Sequence, residues 1–508
     1  MPPLHACKLD LLPSSSSSSS SAAALIVSLL CEPSSRSLAL FLSDSSVLLF
    51  SSLSPFSSSP PQSPTRIPSS ASSAAAACFA RLLPSPSNAA HVVFLSATSS
   101  PAAVVLLRAW VLPPLSGRFA PATISFKRRT HSRAGLALDA LPHGLGVRLA
   151  GSVNVVALHS LAANQIWILA VKLTEKEGEG TVLELKKCAV VEVLLPIYSI
   201  AVDMGCLILG EVGGVRVFPL RPLIKGRPVK RDTRCRGTGL VGDVCKKKDV
   251  LNGLVAPPSR GKSGGCSVGS GKASATGENC CCNEVIRLEG VVEGNADKDI
   301  APRKLRTVRV QQNSGDHCSF FIAMSCDKEE NLKNGMGVLT LVKAVSIHTL
   351  SKNKFMVLDS AGDLHILSLH STIMTSETTG GYSITPKGAH THHLDHVMKV
   401  QLLAVLPDIS MKKQVIWASD GGHSIHMIAA SDIEPPVSED GEDDKRSTMI
   451  QISDTEAIFV KEKVQDIVAL SKNAVLVLGQ GKEIYLHMVL HEGYRSLQTY
   501  LMLYRQGF

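Results

Sequence analysis

The sequence predicts an all-β protein, and three observations support that fold class. Apolar runs of about four to eight residues dominate the chain, and turns rich in Gly, Asp, Ser and Asn separate them. Few stretches carry the sustained 3.6-residue apolar period of an amphipathic helix. The order strand, turn, strand also recurs along the chain. We therefore expect several small antiparallel sheets.

The clearest repeat joins two segments that match in letters as well as in pattern. LSKNKFMVLDSAGDLHILSL begins at Leu350, and LSKNAVLVLGQGKEIYLHMV begins at Leu470, 120 residues further on. With one gap, their turns and strands superpose. A similar unit lies between them, so the period is about 60 residues, and small sheets of this kind bury both faces only against their neighbours.

Further units of the same kind precede the repeat. Near the middle of the chain we predict three successive strands, at Ile197–Val202, Cys206–Leu209 and Val215–Leu220. Together with weaker units towards the N-terminus, the chain holds about seven candidates. They are Leu38–Phe50, His91–Leu112, Val147–Leu173, Leu183–Leu220, Val345–Leu369, Val400–Ile428 and Val464–Val489.

This pattern resembles the degenerate members of the WD-repeat-like β-propeller superfamily. The resemblance rests on the order of strands and turns, because no Gly-His opens a unit and none of Trp110, Trp167 and Trp417 is followed by Asp. It implies a β-propeller-like fold of about seven blades with a long disordered basic insertion. The alternative architecture is a pair of β-sandwiches.

Composition divides the chain into five segments. Residues 1–36 form a Ser/Ala-rich N-terminal segment, and residues 37–221 hold the N-terminal blades. Residues 222–337 form a basic insertion that is rich in Gly and Cys and is predicted to be mostly disordered. Residues 338–490 hold the C-terminal blades, and residues 491–508 form a tail predicted to be helical.

The insertion carries the net charge of the chain, which is +9. Twelve Lys and Arg residues stand against three Asp residues between positions 225 and 272. Two short basic groups in this segment fit a bipartite nuclear import signal read by an import carrier. They are Lys230, Arg231, Lys246, Lys247 and Lys248. The alternatives are a solvated basic loop and contact with nucleic-acid phosphates, which the lack of aromatic residues between 219 and 319 disfavours.

Other motifs give no support for a cofactor or a metal. Ala256–Ser263 fits a relaxed phosphate-binding loop, but the Gly- and Ser-rich sequence after it does not favour the helix that such a loop needs. Cys280–Cys282 lacks the paired spacing of a zinc site. His392 and His396 would share a face if their segment were helical, yet this His-rich stretch falls between predicted blades. No context marks a catalytic nucleophile, so we expect no enzyme, no cofactor and no metal.

The sequence was also searched for a transit peptide, a membrane helix and a phosphorylation site. The acid-poor, Ser- and Ala-rich start could be a chloroplast transit peptide or a low-complexity tail, and it fits the hypothesis of a plant origin. The longest candidate apolar run, Ala22–Leu30, is too short for a membrane helix, so we expect no membrane partner. Ser438 precedes Glu439 and Asp440, which makes it a candidate phosphorylation site, while the alternative is a solvated acidic loop.

The resemblance implies a non-enzymatic scaffold or adaptor with protein partners. Rigid rings with exposed loops suit assembly of several partners. With the import signal, the expected location is the nucleus and cytoplasm, in a multi-protein complex. The alternatives are a chloroplast β-propeller protein and a nucleic-acid-associated regulatory factor that uses the basic insertion.

Overall fold

The computed structural model describes most of the chain outside the insertion. All described residues belong to one compact unit, made of residues 1–226 and 284–508, and residues 227–283 form a separate unit outside the description. The described residues are 4–9, 11–12, 24–53, 63–69, 76–83, 90–113, 117–127, 129–131, 134–176, 180–225, 307–313, 319–324, 341–369, 371–374, 381–384, 389–394, 398–407, 413–433 and 449–489.

These described residues form thirty-three strands and one short helix. The first strands are β1 (Leu4–Leu9), β2 (Ile26–Glu32), β3 (Ser37–Leu42), β4 (Val47–Phe50), β5 (Thr65–Ile67), β6 (Ala76–Leu82), β7 (His91–Ser99), β8 (Val104–Leu112), β9 (Ala120–Phe126), β10 (Arg129–His131) and β11 (Leu136–Pro142). The middle elements are β12 (Val147–Gly151), β13 (Val155–Ser160), β14 (Gln165–Lys176), β15 (Gly180–Glu192), β16 (Ser199–Asp203), β17 (Cys206–Glu211), β18 (Gly214–Pro219), α1 (Leu220–Lys225), β19 (Val308–Gln311) and β20 (Phe320–Ala323). The last strands are β21 (Ala344–Ser351), β22 (Lys354–Asp359), β23 (Leu364–Ser368), β24 (Ser371–Met374), β25 (Gly381–Ile384), β26 (His390–Leu394), β27 (Leu402–Val405), β28 (Lys413–Ser419), β29 (Ser424–Ile433), β30 (Met449–Phe459), β31 (Val464–Ser471), β32 (Ala474–Gly479) and β33 (Ile484–Val489).

Five separate four-stranded sheets have the order of propeller blades. Four of them are β2-β3-β4-β5, β16-β17-β18-β20, β21-β22-β23-β26 and β27-β28-β29-β30, and the fifth is β1-β33-β32-β31. In each sheet the strands pair antiparallel. The β24–β25 hairpin stands apart from these sheets. The prediction of an all-β propeller is therefore confirmed at the level of repeated blades.

We expected about seven separate blades, but the sheet order shows only five among the described residues. Strands β6 to β15 merge instead into one nearly closed sheet. Its path is β12-β13-β14-β15-β9-β8-β7-β6, and β10, β11 and β19 attach to its sides. One half of this sheet is β12–β15 and the other is β6–β9. The two halves join where Val182–Leu185 of β15 pairs in parallel with Thr123–Phe126 of β9. The far ends approach through a bridge between Arg81 and Val153. The five blades and this sheet together form the ring.

Strand alternation explains why the sheets pack in a ring. Successive residues of a strand point to opposite faces, so a central strand buries both faces only if a sheet covers each side. In β22, Phe355 and Val357 enter the core towards β16–β18, whereas Met356 and Leu358 enter the core towards β27–β29. β32 divides its apolar residues in the same way between two neighbours.

The first strands of the sheets contact each other around the centre. Contacts run from β2 to β6, then through β12, β16, β21, β27 and β31, and return to β2. Gly210 of β17 lets the neighbouring blade approach closely, because a Cβ at that position would lie 2.2 Å from the backbone oxygen of Ala344 in β21. The centre of the ring is thus built from inner strands that touch in order.

Chain segments far apart in sequence close the ring. β1 pairs with β33 along Leu4–Leu9, so a strand from the start of the chain completes the last blade. On the inner side, the Asp466 carboxylate accepts a hydrogen bond from the Leu29 N–H at 2.8 Å. Burial raises the pKa of Asp466, while hydrogen bonds from the Leu29 and Ile467 N–H groups oppose that rise.

The structure refines the segment boundaries. Residues 1–36, treated as a segment before the blades, contain β1 and β2. Residues 222–337, treated as an insertion, return to the sheets at β19 and β20, and residues 491–508 lie outside the described residues. The two matching repeats align without the predicted gap, because β21 and β22 begin 120 residues before β31 and β32.

The Asp466 contact predicts a loss of stability on truncation. In Asp466→Ala, the Leu29 N–H loses its acceptor, and we expect the free energy of unfolding to fall by about 1–3 kcal/mol. Urea denaturation followed by tryptophan fluorescence measures this change. Asp466→Asn keeps an acceptor oxygen and is expected to lose less. An Ala variant as stable as the parent chain would contradict a role for this bond in closure.

Candidate functional site

One face of the ring gathers the segments that lead into the inner strands, and we call it the upper face. On this face each connecting segment is hydrogen-bonded to a tight turn of a neighbouring hairpin. The Val193 N–H donates to Asn164 O at 2.8 Å, the Gly213 N–H to Val342 O at 2.7 Å, and the Ser360 N–H to Lys343 O at 2.8 Å. These bonds fix the connecting segments to the blades.

Large apolar side chains are exposed on these connecting segments. Among them are Leu145 (86% exposed) before β12, Leu194 (58%) and Leu195 (43%) before β16, and Leu341 (68%) before β21, and a fifth, Phe459 (79%), ends β30 on the way to β31. Four of the five precede three inner strands that contact in succession, β12, β16 and β21. We call Leu145, Leu194, Leu195 and Leu341 the leucine set. Exposed apolar side chains are typical of an interaction surface where they form a contiguous patch.

A buried glutamine holds the central part of this set. The fully buried Gln312 accepts hydrogen bonds through Oε1 from the Leu194 N–H at 2.7 Å and from the Leu195 N–H at 2.8 Å. Its Nε2 donates to Glu211 Oε1 at 2.7 Å. Gln312 follows β19, so the chain that returns from the insertion supplies the support for two exposed leucines.

An arginine neutralises the buried glutamate of this network. Arg216 donates to both carboxylate oxygens of Glu211, at 2.7 and 3.1 Å, and the Glu211 side chain is only 3% exposed. The Arg216 guanidinium also lies 5.3 Å from the ring centroid of Phe321 in β20. Buried ionic groups need full pairing to persist, and here each partner is provided by a strand of the same blade or by Gln312.

The charge on this part of the upper face comes from Lys343. Its ammonium nitrogen lies 5.0 Å from the ring centroid of Tyr198. Within the described part of the chain, Lys343 forms no salt bridge, whereas the nearby Asp363 pairs with Lys399. A side-chain methyl carbon of Leu341 lies 3.7 Å from where a Cβ of Gly213 would be. The leucine set is therefore accompanied by an exposed cation.

Most of the residues singled out from the sequence lie outside the described part of the chain, and the described ones are not part of this site. Lys230, Arg231, Lys246–Lys248 and Ser438 lie outside the described residues, as do Ala256–Ser263 and Cys280–Cys282. The His-rich stretch is partly described, and His390–Leu394 forms strand β26 rather than the helix needed to place His392 and His396 on one face. No cluster of potential metal ligands occurs among the described residues. Within the same residues, no helix is long and apolar enough to cross a membrane.

Sequence reasoning missed the leucine set and Gln312. A signal was present, since the apolar run continues past the end of β15 into Leu194 and Leu195 before Pro196. Nothing local distinguishes Gln312, because its partners lie more than 100 residues away.

Comparisons with known proteins find propellers only at the level of overall shape. The β-propeller domain of Cps50 (Swd1) from Myceliophteria thermophila is 8% identical, with a TM-score of 0.38, over 92% of this chain and 97% of that one. Saccharomyces cerevisiae Sqt1 is 8% identical, with a TM-score of 0.37, over 91% and 82% of the two chains. The RRP9 WD40 repeats are 7% identical, with a TM-score of 0.34, over 92% and 96%.

No family model matches the sequence, and no curated protein matches it. The similar solved structures include a β-propeller domain and a set of WD40 repeats. The assignment to this fold rests on the sheet order and the core clusters of the chain itself.

Loss of the Gln312 side chain is expected to release the Leu194–Leu195 segment. In Gln312→Ala, both amides lose an acceptor worth about 1 kcal/mol each, so the hydrogen exchange of each should accelerate by about fivefold. Hydrogen–deuterium exchange with mass spectrometry measures this rate. The matched control is Gln311→Ala at the exposed neighbouring position, which should leave exchange unchanged. Equal exchange in both variants would show that Gln312 does not hold the segment.

Proposed function

We propose that this protein is a non-enzymatic scaffold of a multi-protein complex, which binds a partner protein through the leucine set on its upper face. The observation that carries the proposal is the exposure of Leu145, Leu194 and Leu341 on successive blades, together with the buried Gln312 that holds the backbone of Leu194 and Leu195.

A seven-bladed ring is the architecture that best accounts for the core, although two blades share a sheet. The described residues form seven apolar clusters, and six of them lie between two different sheets. The seventh lies between the β6–β9 half and the β12–β15 half of the large sheet. Each half then acts as one blade with two covered faces. The parallel pairing of β9 and β15 joins these two blades at their outer edges.

The partner that fits this face is a protein segment with apolar side chains and a carboxylate. Apolar side chains would remove the leucine set from water, which contributes about 25 cal/mol for each Å² buried. A carboxylate would pair with Lys343, which the described residues leave without an acidic partner. Both features occur on the same face, so one extended segment can satisfy them together.

Entry into the nucleus is the second part of the proposal. Lys230–Arg231 and Lys246–Lys248 have the spacing of a bipartite import signal, and the basic excess of the chain is concentrated around them. The alternatives to this proposal are import into chloroplasts and binding to nucleic acid, and the experiments below distinguish them from it.

Photo-cross-linking tests the partner. A benzophenone amino acid at Leu194 or at Leu341 should capture one segment of one protein, with apolar residues and an Asp or Glu within it. Leu194→Asp with Leu341→Asp should reduce that capture from Leu145 at least tenfold, because a like charge opposes the carboxylate and the apolar contact is lost.

The matched control is Phe459→Asp, which introduces the same charge at an equally exposed position on another blade. This variant should keep the partner. Adducts that map to a second copy of this chain, to nucleic acid, or to unrelated segments from the two positions would overturn the proposed partner.

A fluorescent fusion of the intact chain tests the nuclear signal. Substituting Lys230, Arg231 and Lys246–Lys248 with Ala should lower the ratio of nuclear to cytoplasmic fluorescence several-fold, because the carrier reads the two basic groups. The control substitutes Arg260, Lys262 and Lys272, which lie in the same insertion but outside both groups. Unchanged accumulation, or import of a reporter into chloroplasts by residues 1–60, would contradict nuclear entry through this signal.

A further inference from the structure

The large sheet has an outer seam that the proposed function does not use. Strand β15 pairs on one edge with two different strands. Its Val182–Leu185 stretch pairs with β9, and its Ala189–Glu192 stretch pairs with β19. Lys186–Cys188 lies between these two partners, at a register shift of the pairing with β14. The seam therefore brings together the end of β9, the middle of β15 and the start of β19.

Three cationic side chains lie along this seam. The Lys187 ammonium lies 4.0 Å from the ring centroid of Trp167, and the Lys127 ammonium lies 5.5 Å from that of Phe126. Trp167 and Phe126 belong to the same core cluster, so both lysines lie at the border of one apolar core. Arg309 pairs across from Val190, another member of this cluster. We call Lys127, Lys187 and Arg309 the cationic cluster.

The cationic cluster has little acidic compensation among the described residues. Glu192 lies 3.8 Å from Arg309, and both side chains of that pair are exposed, at 36% and 69%. No described acid forms a salt bridge with Lys127 or Lys187. Burial lowers the pKa of Lys187, and the positive charges of Lys127 and Arg309 lower it further. The fold thus keeps like charges together at a cost that an anion would relieve.

We propose that the cationic cluster at the β9–β15–β19 seam binds a phosphate dianion. Three cations match a doubly charged group better than a single carboxylate, and a guanidinium offers two parallel donors to phosphate oxygens. The rings beneath are already covered, since Trp167 is 3% exposed and Phe126 is 8% exposed. They offer no face for base stacking, which disfavours nucleic acid. The phosphate can be free or can belong to a phosphorylated residue of a protein.

Calorimetry on the intact chain at constant ionic strength tests binding. The probes are inorganic phosphate, a short phosphoserine peptide and the same peptide with serine. We expect saturable binding of a phosphate-bearing probe, weakened at least tenfold by Lys187→Gln and by Arg309→Gln. The matched control is Lys186→Gln, which removes the same charge from the adjacent residue of β15 and should leave affinity unchanged. Tighter binding of the phosphopeptide than of inorganic phosphate identifies a protein-borne group, and equal binding identifies free phosphate.

Fluorescence locates the bound anion. Lys187 covers Trp167, so a phosphate at the cluster should change the tryptophan emission, and Trp167→Phe should remove that change while calorimetric binding persists. Absence of saturable binding, equal weakening by Lys186→Gln, or equal affinity for the unphosphorylated peptide would overturn the proposal. Binding of an RNA oligonucleotide in preference to both phosphate probes would also overturn it. The upper-face variants are not involved, so failure here leaves the proposed function untouched.

Discussion

The structure depends on the fact that every central strand has two apolar faces. β17 shows this requirement, since Leu207 and Leu209 pack against the preceding sheet and Cys206 and Ile208 pack against the following one. A sheet with such strands cannot stand alone or end a stack without exposing one face. A closed ring removes both ends. In this chain the closing core combines residues from 26–50 with residues from 470–488, and it is fixed by β1 pairing with β33 and by Asp466 bonding to Leu29.

Local features of the fold could be predicted from the sequence, whereas distant pairings could not. The turn after Ser351 and the turn after Ser471 fall where the Leu-Ser-Lys-Asn repeat places them. Alternation and turn residues are local signals, so they specify hairpins directly. The membership of β1 in the last blade and the merging of β9 with β15 depend on partners far along the chain. The Ser-rich start of the chain and the sequences of β9 and β15 contain no local pattern that indicates these pairing partners.

The candidate site was harder to predict than the fold, for a related reason. Charge drew attention to the insertion and to Ser438, while the upper face is marked by apolar residues in connecting segments. Leu194 and Leu195 look like the end of a buried strand, and only the structure shows that β15 stops before them. Gln312 looks like one residue of a polar loop, yet it is fully buried and binds two backbone amides. Exposure and burial at the ends of strands are decided by tertiary packing rather than by local pattern.

The short return of the chain after the insertion links the two surfaces. Arg309 extends from β19 into the cationic cluster, Val310 packs in the core towards β16–β18, and Gln312 holds Leu194 and Leu195. Arg309 and Val310 lie in β19 and Gln312 directly follows it, and β19 is anchored to β15 by four backbone pairs. A displacement of β19 along β15 would therefore move the anion site and the support of the leucine set together. β19 is therefore the structural element that the two proposed sites share.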